Sequence, residues 1–158
     1  MKLCDFIAKD ALVPQLKSTQ RDEVITELVE ALIDAGTIAE PLRKDIIQQI
    51  VDREKRGSTG FGKGVAVPHV KHKGIKKMVA TIGISERGVD FNALDKAPVY
   101  SVVLLASPAE RPDEHLQAME NIFRNLQKDT FRRFLRQAAS VEEILDLIQE
   151  ADAHQLQG

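Results

Sequence analysis

Tryptophan is absent from the 158 residues, tyrosine occurs once, and cysteine occurs once. The lone Cys4 excludes an internal disulfide and fits a reducing compartment. So few flat aromatic rings leave no stacking platform for single-stranded nucleic acid. An excess of one charge is missing too. There are 22 Lys and Arg against 24 Asp and Glu, a formal net charge of −2. No whole-molecule field therefore draws the chain to nucleic acid or to an anionic membrane. No run approaches the ~20 apolar residues needed to cross a bilayer. The opening MKLCDFIAKDALV is broken by Asp5, Lys9 and Asp10, so it reads as neither a secretory nor a lipoprotein leader. Internal repeats and low-complexity tracts are missing as well. These absences predict a soluble, cytoplasmic protein with no membrane span and no nucleic-acid partner.

What is present reads as one compact unit. The length fits a single domain able to bury roughly 70% of its unfolded surface. Ser18 or Thr19 is placed to cap a helix beginning near Arg21. Val24, Ile25, Leu28, Val29 and Leu32 recur along it at helical spacing, and Gly36 supplies a stop. A second helix has Pro41 in its first turn, an apolar stripe of Leu42, Ile46, Ile47, Ile50 and Val51, and an end near Gly57. Val65 to Val67 predicts a short strand and Met78 to Ser85 a β-branched one, with a further short strand conceivable at Val89 to Phe91. Val99 to Ala106 is apolar almost without a break, the pattern of a strand buried on both faces.

Pro108 and Pro112 bracket a turn before a long helix with Leu116, Met119, Ile122, Phe123 and Leu126 on one face. Phe131, Phe134 and Leu135 mark a shorter helix, and the cluster Phe123, Phe131 and Phe134 reads as core. Ser140 with Glu143 makes a capping box before Ile144, Leu145, Leu147 and Ile148. Residues 1–150 form the expected domain and 151–158 a frayed, flexible tail. Helices, then strands, then helices predict an α/β fold: a central mixed β-sheet flanked by α-helices.

The segment with chemistry in it is REKRGSTGFGKGVAVPH, Arg53 to His69. Gly57, Gly60, Gly62 and Gly64 permit positive φ and close backbone approach to a ligand. Successive N–H groups in such a turn can hold an anion, Ser58 and Thr59 add hydroxyl donors, and Arg53 and Lys63 add positive charge. Ser58, Thr59, Gly60, Gly62 and Gly64 are therefore candidate phosphate-binding residues. Neither nucleotide fingerprint fits: Gly62-Lys63 is followed by Gly64, and a strand rather than a helix follows the glycines. His69 ends that strand just after Pro68, which cannot donate to a ladder, so the histidine is expected at a sheet edge. With an ordinary pKa near 6.5, a neutral imidazole is abundant at neutral pH and its free nitrogen can attack phosphorus. The plain alternative is that a histidine after a proline is structural or merely exposed.

The remaining histidines read more blandly. As a bare residue His115 is a solvent-facing residue in the first turn of a helix, and His72 sits in a solvated basic patch, KHKGIKK. Lys71, Lys73, Lys76 and Lys77 of that patch could instead attract an acidic partner or nucleic acid. His69, His72 and His115 could suggest a metal, but clustered cysteines and an HExxH helix are both missing, so no metal is expected. Cys4 reads as buried or half-buried and His154 as solvated.

The pattern R-E-x-x-x-S-T-G-x-G-x-G-x-A-x-P-H resembles the active-site signature of the type-2 EIIA domains of the phosphoenolpyruvate-dependent sugar phosphotransferase system. It is carried by Arg53, Glu54, Ser58, Thr59, Gly60, Gly62, Gly64, Ala66, Pro68 and His69. Val89-Asp90-Phe91, Asp95, Pro98-Val99, Leu104 to Ala106, Pro108 and His115-Leu116 extend the likeness over residues 5 to 150. The resemblance implies the fold of the mannitol- and fructose-type EIIA domains. It implies that His69 accepts a phosphoryl group from an HPr-type phosphocarrier, that His115 assists, and that Arg53 belongs to the active site. No cofactor is implied. Phe61 and Lys63 stand where such domains vary, at positions suited to tuning partner choice. Two outputs stay open: a regulatory one, like that of the nitrogen-regulatory EIIA proteins and their target proteins, or transfer to an EIIB for sugar uptake. The sequence contains no EIIB- or EIIC-like region, which favours the first.

Overall fold

The computed structural model describes residues 1–154. Helix α1 (Arg21–Asp34) carries its five apolar positions, Val24 to Leu32, wholly into the interior. Its start differs from expectation: Gln20 is the cap residue and makes no side-chain bond. The approach is held instead from within the helix, where the Glu27 carboxylate accepts the N–H groups of Lys17 at 3.1 Å and Ser18 at 3.2 Å. After Gly36, at φ +79°, a 3-10 turn containing Pro41 leads into α2 (Arg43–Lys55).

Four strands follow: β1 (Val65–Ala66), β2 (His69–His72), β3 (Val79–Val89) and β4 (Val99–Pro108). The sheet is mixed, with β4 parallel to β1 and β2 and antiparallel to β3. Because β3 occupies one side of β4 along its length, β1 and β2 share the other. Their registers agree, Val65 opposite Ser101 and His69 opposite Leu105, so they form one strand line interrupted at Val67–Pro68. β3 continues past Ser85 to Val89 through a bulge around Gly88, whose N–H is accepted by the Ser85 hydroxyl at 3.0 Å. The N-terminal segment lies along the outer side of β3, with bridges at Ile7–Ala80 and Val13–Gly83, and so covers an edge that would otherwise be open.

β4 is the centre of the molecule. Its Val102, Leu104 and Ala106 join the core beneath α1 and α2, while Val103 and Leu105 join the core beneath the last three helices. Those are α3 (Pro112–Leu126), α4 (Asp129–Gln137) and α5 (Val141–Asp152). Side chains alternate across a strand, so a strand covered by helices on both faces must be apolar throughout, as this one is. Gly83 lets α1 approach β3 closely: a Cβ there would lie 2.8 Å from both Leu16 and Leu28 side chains.

The last helices depart from the sequence reading in four places. α3 meets the sheet through His115, Ala118 and Ile122, and Leu116 is 58% exposed. The apolar stripe is thus rotated toward the flank, where Met119 and Phe123 are only partly covered. Phe134 is exposed rather than core, with the Arg133 guanidinium over its ring. Ser140 does cap α5, accepting the Glu143 N–H at 3.2 Å, but the Glu143 carboxylate returns to the Ala139 N–H rather than to that of Ser140. α5 runs through buried Ala151 to Asp152, past the expected start of the tail, because the Asp152 carboxylate accepts the N–H groups of Leu3 and Cys4. The rest of the expected tail, 155–158, lies outside the described residues. Cys4 is exposed, and so is His154. Among the described residues no helix is long and apolar enough to cross a membrane.

Candidate functional site

Pro68 breaks the strand line and His69 restarts it. The histidine therefore opens β2 rather than ending β1, on the outer side of β4. Its register opposite Leu105 turns its side chain to the face that α3 covers, and Lys71, two residues on and opposite Ser107, shares that face. Val70 between them points into the core under α2. At the far end of β4 the chain turns through Pro108 and enters α3 at Pro112, which brings His115 in the first helical turn over the same spot. The two imidazole rings lie 5.6 Å apart, centroid to centroid, inclined at 50°. His115 is buried, against the solvent-facing position expected of it as a bare residue.

Each ring has one nitrogen engaged. The Nδ1 of His69 lies 2.8 Å from the Val67 carbonyl oxygen. A carbonyl only accepts, so Nδ1 carries the proton and Nε2 keeps its lone pair. The Nδ1 of His115 lies 2.7 Å from the Ser107 hydroxyl oxygen. Burial is the first cause that pushes the His69 pKa down; the nearby Arg53 and Lys71 charges push the same way, against the Val67 carbonyl and Glu54. Burial, then His69 and Lys71, lower His115 to about 4. Both rings are accordingly neutral at neutral pH.

His69 and His115 open into a cavity of about 490 Å³. Its cations are Arg53, Arg56 and Lys71, and Gln49 and Asp52 complete the polar wall. Arg53 is braced by a 2.8 Å bond from its guanidinium to the Gly57 carbonyl. Arg53, His69 and His115, singled out in the sequence, are thus brought together. Arg56 was not singled out, and Lys71 was noted only as part of the basic patch that follows His69. Lys71 was findable from strand alternation and Arg56 from its place one helical turn after Arg53, but neither lies in the glycine pattern.

The five loop residues expected to bind phosphate are placed otherwise: none lines this cavity. Ser58 donates to the Phe91 carbonyl at 3.2 Å and accepts the Gly60 N–H at 2.9 Å. Thr59 donates its N–H at 2.8 Å, and its hydroxyl, to the Glu54 carboxylate, which is buried. Gly60 passes against Ala93, where a Cβ would come within 3.0 Å. Gly62, at φ +119°, lies beside Asp95, and Gly64, at φ +76°, lies against Tyr100. The hydroxyls are spent inside the loop, on the Phe91 carbonyl and the Glu54 carboxylate, because donors withdrawn from water must find acceptors. The loop delivers the strand line that bears His69. His72 is likewise not a solvated residue: its ring is bonded to Asp45 of α2 and accepts the Gly74 N–H at 2.8 Å, pinning the end of β2.

The mixed sheet with helices on both faces is the fold shared with solved nitrogen-regulatory and mannitol IIA proteins. Residues 5–151 match the family model described as phosphoenolpyruvate-dependent sugar phosphotransferase system, EIIA 2, and the chain belongs to that family. It is 30% identical over 152 residues to the PTS system fructose-specific EIIABC component of Bacillus subtilis, a match covering 96% of this chain and 24% of that protein. The chain thus spans about a quarter of that relative. It is 28% identical over 148 residues to a nitrogen regulatory protein of Bradyrhizobium diazoefficiens, covering 94% of this chain and 95% of the relative. Among solved structures, the nitrogen regulatory protein IIA-Ntr of Neisseria meningitidis superposes with a TM-score of 0.81 at 25% identity, covering 91% of this chain and 97% of that one.

Proposed function

We propose that the chain is a phosphohistidine carrier of the phosphoenolpyruvate-dependent phosphotransferase system, with His69 as acceptor, His115 assisting and Arg53 on the phosphoryl oxygens. The observation that carries this reading is the tautomer of His69: its Nδ1–H is held by the Val67 carbonyl, which leaves the Nε2 lone pair free beside a cation-lined cavity. In the transfer, Nε2 forms a bond to phosphorus as the N–P bond of an HPr-type donor breaks. The donor nitrogen recovers its electron pair, and the Nδ1 proton stays on His69. Charge spreads over the three equatorial oxygens in such a transfer, and Arg53, Arg56 and Lys71 are positioned to stabilise it. Onward transfer runs the same steps in reverse. The transfer so read uses neither metal nor nucleotide, and we take the protein to act in the cytoplasm beside these partners. Ser58, Thr59 and the glycines act by shaping the loop.

The output we favour is regulatory: the phosphate adds about −1.5 to −2 charge at the His69 face and so switches binding of target proteins. The similarity to a nitrogen regulatory protein, 28% identical over 148 residues, supports this. The 30% identity to a fructose-specific component supports the second reading, transfer to an EIIB. Incubation with phosphoenolpyruvate, Enzyme I and an HPr-type carrier should add one acid-labile phosphate, on Nε2 of His69 by ³¹P–¹H NMR. An unchanged yield in His69→Ala overturns the assignment. Rapid transfer onward to a purified fructose-type EIIB would decide for sugar uptake over regulation.

A further inference from the structure

Val67 sets the proton on His69; the corresponding question for His115 is answered by Ser107. The β4 register puts Ser107 opposite Lys71, on the strand face that α3 covers, and the residue is fully buried. Its hydroxyl oxygen and His115 Nδ1 are 2.7 Å apart. Two proton arrangements satisfy that distance. If Nδ1–H donates to the hydroxyl, the hydroxyl proton needs an acceptor of its own, and no side-chain or backbone acceptor other than His115 is bonded to it among the described residues. If the hydroxyl donates to the Nδ1 lone pair, every group is satisfied. Orphaning a buried hydroxyl disfavours the first arrangement by about an order of magnitude or more in population.

We infer that Ser107 is a positioning residue: by donating to Nδ1 it holds neutral His115 with its one ring proton on Nε2, ready to donate to a phosphoryl oxygen carried by His69. This rests on the reading of His69 as acceptor. Two short contacts give the paired rings opposite tautomers. A carbonyl that can only accept makes His69 a nucleophile at Nε2. A hydroxyl that must donate makes His115 a hydrogen-bond donor at Nε2. The low His115 pKa, about 4, keeps a second proton off that ring at neutral pH, so the tautomer decides what His115 offers the cavity. A donor that meets the phosphoryl group only as charge develops on its oxygens stabilises the transition state selectively.

Long-range ¹H–¹⁵N correlation spectra of the full chain at pH 7 read the tautomer directly. The wild type should show His115 protonated at Nε2, with a hydrogen-bonded acceptor shift at Nδ1; protonation at Nδ1 overturns the inference. In Ser107→Ala, a mixed tautomer should appear, and the rate constant for phosphoryl transfer from an HPr-type carrier should fall about fivefold to twentyfold. Half-saturation by the carrier should not change, because the carrier does not touch this buried residue. Ser107→Thr, which keeps the hydroxyl, should restore both the tautomer and the rate. An unchanged rate in Ser107→Ala, or no rescue by Ser107→Thr in a chain whose spectrum shows the native fold, also overturns it. Failure to phosphorylate His69 in the wild type would instead sink the proposed function and leave the tautomer measurement standing.

Discussion

Thr59→Val separates two roles for the glycine loop, holding phosphate and holding shape. The substitution replaces the hydroxyl with a methyl of similar size and keeps the backbone N–H. In the structure that hydroxyl donates to the buried carboxylate of Glu54, and the N–H donates to the same carboxylate at 2.8 Å. The variant therefore loses one hydrogen bond to a charged group, worth about 1.5–3 kcal/mol. Glu54 is 2% exposed, so water cannot easily replace the lost donor, and the cost should fall in the upper part of that range. For a domain of this size the midpoint of thermal unfolding should drop by about 4–10 °C. Urea unfolding should show the same loss with an unchanged slope. Because Thr59 does not line the cavity shared by His69 and His115, phosphoryl acceptance at 20 °C should stay within about twofold of wild type. Stability within 0.5 kcal/mol of wild type, together with a tenfold loss of transfer, would refute the reasoning and return the hydroxyl to the phosphate.

The converse is expected of Arg53→Gln. The bond to the Gly57 carbonyl is on the half-exposed rim, so unfolding free energy should change by less than about 1 kcal/mol, while the loss of a cavity cation should slow phosphoryl acceptance tenfold or more in single-turnover assays. Acid should weaken the fold through His115, whose pKa is about 4 in the folded chain against an ordinary 6.5. The unfolded chain then takes up the proton first, so this contribution is complete above about pH 6.5 and is lost as pH falls toward 4. It amounts to about 3.4 kcal/mol at most, less where solvent screens the ring, and urea titrations should show a shallower pH dependence in His115→Gln across that window. The depressed His69 pKa adds in the same direction and keeps the Nε2 lone pair free until the pH drops below it.

Much of the fold was legible because its signals are local. The apolar spacing of Val24 to Leu32, the unbroken run from Val99 to Ala106, and the prolines at 108 and 112 each dictate an element from within a few residues. The misreadings share one cause. Leu116 and Phe134 are apolar at helical spacing, yet which side of a helix is covered depends on what packs over it, and here small Ala118 and His115 take the inward positions. Cys4 and the end of α5 were likewise decided across the chain, where Asp152 meets the N–H groups of Leu3 and Cys4.

The same division runs through the site. Residue types and their order determined an α/β chain with a histidine after a proline, a glycine-rich approach to it, a conspicuous Arg-Glu pair, and a family likeness that links them. These follow from backbone chemistry: glycine admits positive φ, proline interrupts a ladder, imidazole titrates near neutrality. Tertiary structure alone decided that His115, 46 positions along, faces His69 at 5.6 Å, that Arg56 and Lys71 join them, and that Ser58 and Thr59 do not. It also assigned the proton on His69, through a carbonyl two residues back that the strand break turns toward the ring. Burial and hydrogen-bond geometry belong to the packed chain, and no pattern along the sequence encodes which donor reaches which acceptor first.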